Sequence, residues 1–393
     1  MFSREKIVTH RERVICTLNH EEPDRVPIDY GSMLSTGIHV FAQRKLKCYL
    51  GLKDTHDEVV DIHQQFAAPD PSIRKIFDAD IHPVFALPST KWSSKIVEED
   101  DYAYWTDEWG TVYRKPKEGW WYDLYQFPLQ NIDTISGLKR YKWPDPEDSG
   151  RIEGLAEKTR KIYQETDYAI LVNSPYVGIF ETGWYLRGMD NWLCDLVLRK
   201  NFAQEIIERS LQWRIKYWNK VLDQIAPYVH VVQIGDDLAG ENGPLISPDL
   251  YRKFFKPAHR KLCDFIKSKA PVKVFIHSCG DIRPFLIDFV DVGIDILNPV
   301  QVSCKGLADT KKLKKEFGRY LTFWGGGCDT QRVLPFGNPE DVKKEVKRRI
   351  NDLAPEGGFV FCQVHNIQPE VPPENIVTMF QSAKKYGRYP INI

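Results

Sequence analysis

The feature that most constrains this chain is a repeated alternation of short apolar runs with longer amphipathic ones. Strand-like runs fall at 26–30, 81–86, 168–172, 229–234, 272–276, 294–297, 320–323 and 358–361. Helical spacing fills 151–166, 190–222, 249–269, 281–291, 309–317 and 339–353 between them. Strands that alternate with helices lie parallel and are joined by right-handed crossovers. Eight of them over 393 residues predict an α/β fold, a (β/α)8 barrel forming one domain over 1–393, in preference to an open doubly wound sheet. No GxGxxG or P-loop follows any run, which argues against a nucleotide fold.

Three segments stand outside the alternation. Ile7, Val14, Ile15 and Leu18 are apolar among many charges, which predicts an N-terminal helical extension. Residues 57–66 also read as helical. Residues 101–127 concentrate tyrosine and tryptophan around Gly110 and Gly119. Aromatic residues flanking turn glycines favour antiparallel hairpins, so this segment is expected as an inserted, aromatic-rich β-hairpin excursion over one mouth of the barrel. Its rings serve either plain sheet packing or a wall for a planar substrate.

Charge and apolar patterning exclude several classes of partner. The 54 basic and 54 acidic residues balance without a long run of one sign, so no nucleic acid or anionic membrane is expected. No apolar stretch approaches the roughly 20 residues of a spanning helix. The charged start, Met1 to Lys6, lacks the apolar segment of a secretory signal, and a cytoplasmic protein is expected. The eight cysteines are dispersed and read as thiols of a reducing compartment. Cys16, Cys48, Cys194 and Cys263 suit core packing, and Cys328 is a bystander.

Barrel enzymes keep their chemistry at the C-terminal strand ends. Those ends here carry Asp29 and Tyr30; His82; Asn173 and Ser174; Asp236 and Asp237 with Glu241; His277 and Cys279; Asn298 and Gln301; Trp324 to Gly327; and Cys362 with His365. His277 and Cys279, two apart, share one side of an extended segment. One imidazole and two thiolates suit zinc, and three protein ligands leave a position for substrate. The expected metal ligands are therefore His277 and Cys279, with either Cys362 or His365 as the third. Asp236, Asp237 and Glu241 are candidates for acid–base work, although acidic residues in a Gly-rich loop also occur as mere turn residues. Asp236, Asp237 and Asn298 are candidates for orienting the histidine, and Glu241 for a displaceable fourth ligand. Tyr30, Asn298, Gln301, Trp324 and His365 are the candidates for holding a substrate. The glycines 325–327 fit either a close approach to a ligand or a tight turn.

Several of these elements together resemble the uroporphyrinogen decarboxylase superfamily. They are Arg11-Glu12-Arg13-Val14 with Pro23-Asp24-Arg25-Val26-Pro27, the Gly-Asp-Asp-Leu loop at 235–238 with Ile246-Ser247-Pro248, and His277-Ser278-Cys279-Gly280. Asp295 to Gln301, and His365-Asn366-Ile367-Gln368 with Pro372-Pro373-Glu374-Asn375, complete the pattern. The resemblance implies the same barrel. Decarboxylases of that superfamily have an arginine-rich loop after the first strand, where this chain reads Asp29-Tyr30-Gly31-Ser32-Met33-Leu34-Ser35 without arginine. The corrinoid-dependent methyltransferase branch has a His-X-Cys…Cys zinc motif, matched by His277, Cys279 and Cys362. The resemblance thus implies a zinc-dependent methyltransferase of O-demethylase type. A methoxylated, aromatic donor would give its methyl group to the cobalt of a corrinoid (cobalamin) held by a partner protein, and a homodimer is allowed. The alternatives are methyl transfer from a corrinoid protein to a thiol or tetrahydrofolate, decarboxylation of a porphyrinogen, and a non-catalytic corrinoid-protein-binding module.

Overall fold

Seven parallel strands form one sheet in strict chain order: Ile81–Val84, Ala169–Val172, Val231–Gly235, Lys273–His277, Ile296–Asn298, Thr322–Trp324 and Phe359–Val360. The computed structural model describes residues 8–53 and 56–393. The barrel closes through the first expected strand, in an irregular form. Ile28 bridges Phe361 in parallel, Phe361 N donates to Pro27 O (2.8 Å), and Asp80 N donates to Ile28 O (2.8 Å). Pro27 has no N–H to give to a ladder, and the Asp80 carboxylate takes the Ile28 N–H (2.6 Å). Eight staves therefore surround the axis, as the alternation predicts.

Side chains alternate across each stave. Ile81, Leu171, Val231, Phe275, Ile296, Trp324, Val360 and Cys362 form the inner cluster, together with Val14 and Leu18 of the His10–Leu18 helix. Ile170, Val172, Val232, Val274, Ile276, Leu297, Phe323 and Phe359 face outward into the layer shared with the helices. The N-terminal helix starts on a capping box made by Thr9 and Glu12; Ile7, part of the expected pattern, lies outside the described residues. Arg13 holds Asp24 (2.7 Å) and Asp80 (2.6 Å), and Arg25 also holds Asp80 (2.7 Å). Asp80 is fully buried, so Arg13 and Arg25, two of the three arginines in the motifs that carry the family resemblance, compensate one buried carboxylate, and Arg13 pins the helix to the barrel.

Two expectations need correction. Residues 57–66 are not helical: Val59–Asp61 and Phe66–Ala67 pair antiparallel, with Ile38–His39 as the third strand. The β-branched Val59-Val60 pair and the left-handed Gln65 (φ 57) favour a tight β turn over a helix. The aromatic excursion is a four-stranded meander that begins earlier, at Ile96–Glu99, and continues through Tyr102–Thr106, Val112–Pro116 and Asp123–Gln126. Trp109 stacks on Tyr176 (4.3 Å between centroids), Thr111 Oγ1 donates to Tyr185 O (2.9 Å), and Tyr122 N donates to His63 O (2.8 Å). Trp109 and these two hydrogen bonds therefore tie the meander to the rest of the fold. Among the described residues, no helix is long and apolar enough to cross a membrane.

Candidate metal centre

Three neighbouring strand ends and one loop build the site. His277 ends Lys273–His277, Cys279 follows two residues later, and His365 comes from the loop after Phe359–Val360. One ligand atom from each of the three lies within 4.8 Å of the others. His277 Nε2 is 3.2 Å from Cys279 Sγ, and the two imidazole centroids are 5.5 Å apart. Donor bonds of about 2.0–2.3 Å to a tetrahedral zinc put ligand atoms roughly 3.3–3.8 Å apart, so small side-chain adjustments bring this trio onto one ion.

Asn298 sets the state of His277. Its Oδ1 accepts from His277 Nδ1 (2.6 Å) and Ser35 Oγ (3.1 Å), while its Nδ2 donates to Trp324 O (2.8 Å). An oxygen already committed as acceptor requires the proton on Nδ1, which leaves the Nε2 lone pair facing Cys279. Burial and the neighbouring His277 push His365 down to about 3, so it is a neutral donor at pH 7. Burial, then Asp237 and Glu181, hold the Cys279 thiol well above its ordinary value. That thiol stays protonated unless a cation replaces the proton, the behaviour of a metal thiolate ligand. The residues present fit zinc.

The structure separates the expected site residues. Cys362 is not in the trio; it is fully buried in the apolar inner cluster beside Trp324 and Val360, and His365 stands in its place. Asp237 belongs to the site: its Oδ1 accepts from Cys279 N (2.7 Å) and lies 3.9 Å from His277 Nε2. Asp236 does not. Strand parity turns it outward, where it accepts from Phe180 N (3.0 Å), Glu181 N (3.1 Å) and His259 Nε2 (2.9 Å). It is a buried carboxyl group that accepts N–H bonds at the start of the Ile179–Arg187 helix, a structural role. Glu241 sits on the rim and accepts from Gln301 Nε2 (3.2 Å) and Gln331 Nε2. Gln301 Oε1 in turn accepts from Gly280 N (2.7 Å).

Three residues proposed as substrate contacts are elsewhere. Tyr30 is buried, donates to Gln43 Oε1 (2.9 Å) and packs edge-on against Phe77 and Phe380. Trp324 is buried and gives its Nε1–H to Asp29 Oδ2 (2.9 Å). Asn298 is buried and orients His277. Gln301 and His365 do line the cavity at the mouth, which has a volume of about 360 Å³ and is shared with Glu241, Gln331, Asn366 and Gln368. Gln331 and Thr330 went unremarked in the sequence; their place after the glycine turn was the only signal. Gly280 (φ +86) lets its loop meet the next, since a Cβ there would fall 2.4 Å from Ala239 O. At Gly325 (φ +114) a Cβ would likewise fall 2.4 Å from Pro299 O, so the glycine run serves a tight turn.

A sequence profile described as "Uroporphyrinogen decarboxylase (URO-D)" matches residues 127–386. Curated relatives include the uroporphyrinogen decarboxylases of two Prochlorococcus marinus strains. That of strain MIT 9515 is 25% identical over 264 residues, covering 67% of this chain and 71% of the relative. That of strain MIT 9215 is 23% identical over 266 residues, with the same coverage of each chain. Among solved structures, a methyltransferase from Methanosarcina mazei superposes with a TM-score of 0.61 at 18% identity, covering 96% of this chain and 99% of the other.

Proposed function

Since this chain belongs to the uroporphyrinogen decarboxylase family yet carries a His–Cys–His donor set at its mouth, we propose that it is a zinc-dependent methyltransferase. It takes a methyl group from a small methylated substrate and passes it to the cobalt of a corrinoid carried by a partner protein. The observation that carries this reading is the convergence of His277, Cys279 and His365 within 4.8 Å. Zinc bound there would act as a Lewis acid on the heteroatom bearing the methyl group. The similarity in fold to the methyltransferase from M. mazei supports the same class of reaction.

The protein's own groups have defined tasks. His277 keeps its proton on Nδ1, against Asn298, and presents Nε2. Asp237, beside Cys279, is the group placed to take the thiol proton when the site loads and to return a proton to the departing heteroatom. Gln301 and Gln331 fix Glu241 across the entrance. The methoxyarene expected from the sequence draws no support from 101–127, since no residue of that segment lines the cavity among the described residues.

Decarboxylation is the second reading, favoured by the names of the curated relatives. It fits this site less well: a substrate bearing many carboxylates needs cationic partners, and no lysine or arginine lines the cavity among the described residues. Two measurements test the proposal. Metal analysis of the purified protein is expected to give one zinc per chain. Spectroscopic methylation of cobalt(I) by methoxyarenes, methanol and methylamines is expected to require that zinc. Transfer by zinc-free protein, or turnover of uroporphyrinogen without methyl transfer, defeats the proposal.

A further inference from the structure

The charge of the cavity points to a class of substrate. Besides Cys279 and His365, its polar lining consists of carboxamides and a hydroxyl (Gln301, Gln331, Asn366, Gln368 and Thr330) around the single carboxylate of Glu241. Both glutamines spend an N–H on the same oxygen, Glu241 Oε1. Glu241 Oε2 has no hydrogen-bond partner among the described residues, and no lysine or arginine pairs with Glu241 or Asp237 there, whose only ion-pair neighbour is His277 at 3.9 Å. The lining thus offers one carboxylate and no lysine or arginine to meet it.

An anionic substrate would meet Glu241 without compensation, and a neutral one would gain nothing from its charge. We propose that the cavity takes a small cationic substrate, an ammonium compound carrying a methylated heteroatom, with its N–H groups toward Glu241 Oε2 and its heteroatom toward His277, Cys279 and His365. The charge preference rests on the cavity lining alone; the placing of the heteroatom rests on the methyl-transfer reading above. The inference also separates this chain from relatives that act on polycarboxylates, because a single carboxylate on the rim repels what an arginine would attract.

The test uses three methyl ethers that differ in charge: 2-methoxyethylammonium, 2-methoxyethanol and methoxyacetate. Their binding to the full-length, zinc-loaded protein is measured by calorimetry at low and moderate salt. The expected order is ammonium, alcohol, carboxylate, with steps of about fivefold or more, the ratio that 1 kcal/mol of electrostatic discrimination gives. Raising the salt shrinks the steps, and Glu241→Gln removes the ammonium's advantage over the alcohol. Equal affinities, a carboxylate-first order, a Glu241→Gln variant with the order intact, or no ammonium binding at millimolar concentration each overturns the inference. Binding in the expected order with no methyl transfer to cobalt would instead refute the proposed reaction and leave the charge assignment standing.

Discussion

Replacing Asn298 with alanine tests the site at its least visible point. Asn298 never meets the cavity, yet one carboxamide serves three groups: His277 Nδ1 at 2.6 Å, Ser35 Oγ at 3.1 Å and Trp324 O at 2.8 Å. Asn298 and Trp324 are fully buried and Ser35 is 9% exposed, so water cannot easily replace the lost partner. Leaving the buried Ser35 Oγ and Trp324 O unsatisfied costs about 1–3 kcal/mol each, so unfolding by denaturant should show a loss of about 2–6 kcal/mol. The effect on metal binding is separate. Without Oδ1 as acceptor, the imidazole is free to exchange tautomers and to rotate, and losses of this kind lower metal affinity about 10- to 100-fold. Competition against a chromophoric chelator measures that loss directly on folded protein. Asn298→Asp is the control, because it keeps an acceptor for Nδ1 while setting a second acceptor against Trp324 O. It should be destabilised, yet hold zinc far better than the alanine variant. If Asn298→Ala binds zinc within about threefold of the native protein, or if both variants lose affinity equally, the argument that Asn298 orients His277 is wrong.

Three further outcomes are expected. His365→Ala should abolish stoichiometric zinc, whereas Cys362→Ala should retain it and cost only about 1 kcal/mol of core packing; the reverse result would restore Cys362 as the ligand. Asp236→Ala removes the acceptor of Phe180 N, Glu181 N and His259, so denaturant unfolding should show a loss of about 3 kcal/mol or more with zinc per folded chain unchanged. Loss of zinc from the folded variant would argue against a purely structural Asp236. Burial pushes the Asp107 carboxyl up to about 6, above its unfolded value of about 3.9. The folded state therefore binds the proton more tightly, and stability is highest below the unfolded value and falls as pH rises through about 6. The drop is about 2–3 kcal/mol, and Asp107→Asn should flatten it; a native slope that persists in the variant refutes the assignment.

Much of the barrel was legible because buried parallel strands are continuous apolar runs that end at polar turns. The runs at 229–234 and 272–276 correspond to Val231–Gly235 and Lys273–His277 almost residue for residue. What escaped the sequence was decided by contacts between distant segments. The Ile179–Arg187 helix was not anticipated, since Gly183 interrupts its pattern and glycine disfavours helix interiors. There the ring of Trp192 lies where a Cβ would stand, 2.2 Å from Cε2, so close packing outweighs propensity. The single helical run expected over 190–222 breaks at Arg199 into Met189–Leu198 and Lys200–Ile225. Arg199 bonds Asp195, which Arg187 also holds. The break falls at a charge cluster whose members are fixed by folding, which local periodicity does not record.

The same distinction explains the candidate metal ligands. Side-chain parity at a strand end is a local property, and it correctly puts His277 and Cys279 on one side with Ser278 on the other, where its Oγ–H goes to Asp236 O (2.7 Å). Parity also divides the adjacent carboxylates, sending Asp237 to the site and Asp236 to the helix start, a division the sequence reading did not draw. For the third ligand, parity places Cys362 inside the barrel, but among apolar neighbours. The chain then runs through Gln363, whose amide donates to Thr36 O (2.9 Å), and Val364, whose N–H goes to Cys328 O (2.9 Å). Those two anchors come from segments more than 300 and about 36 residues away. They carry the chain to His365 beside His277. Residue chemistry alone made Cys362 and His365 interchangeable; the path of a three-residue loop held by remote carbonyls separates them.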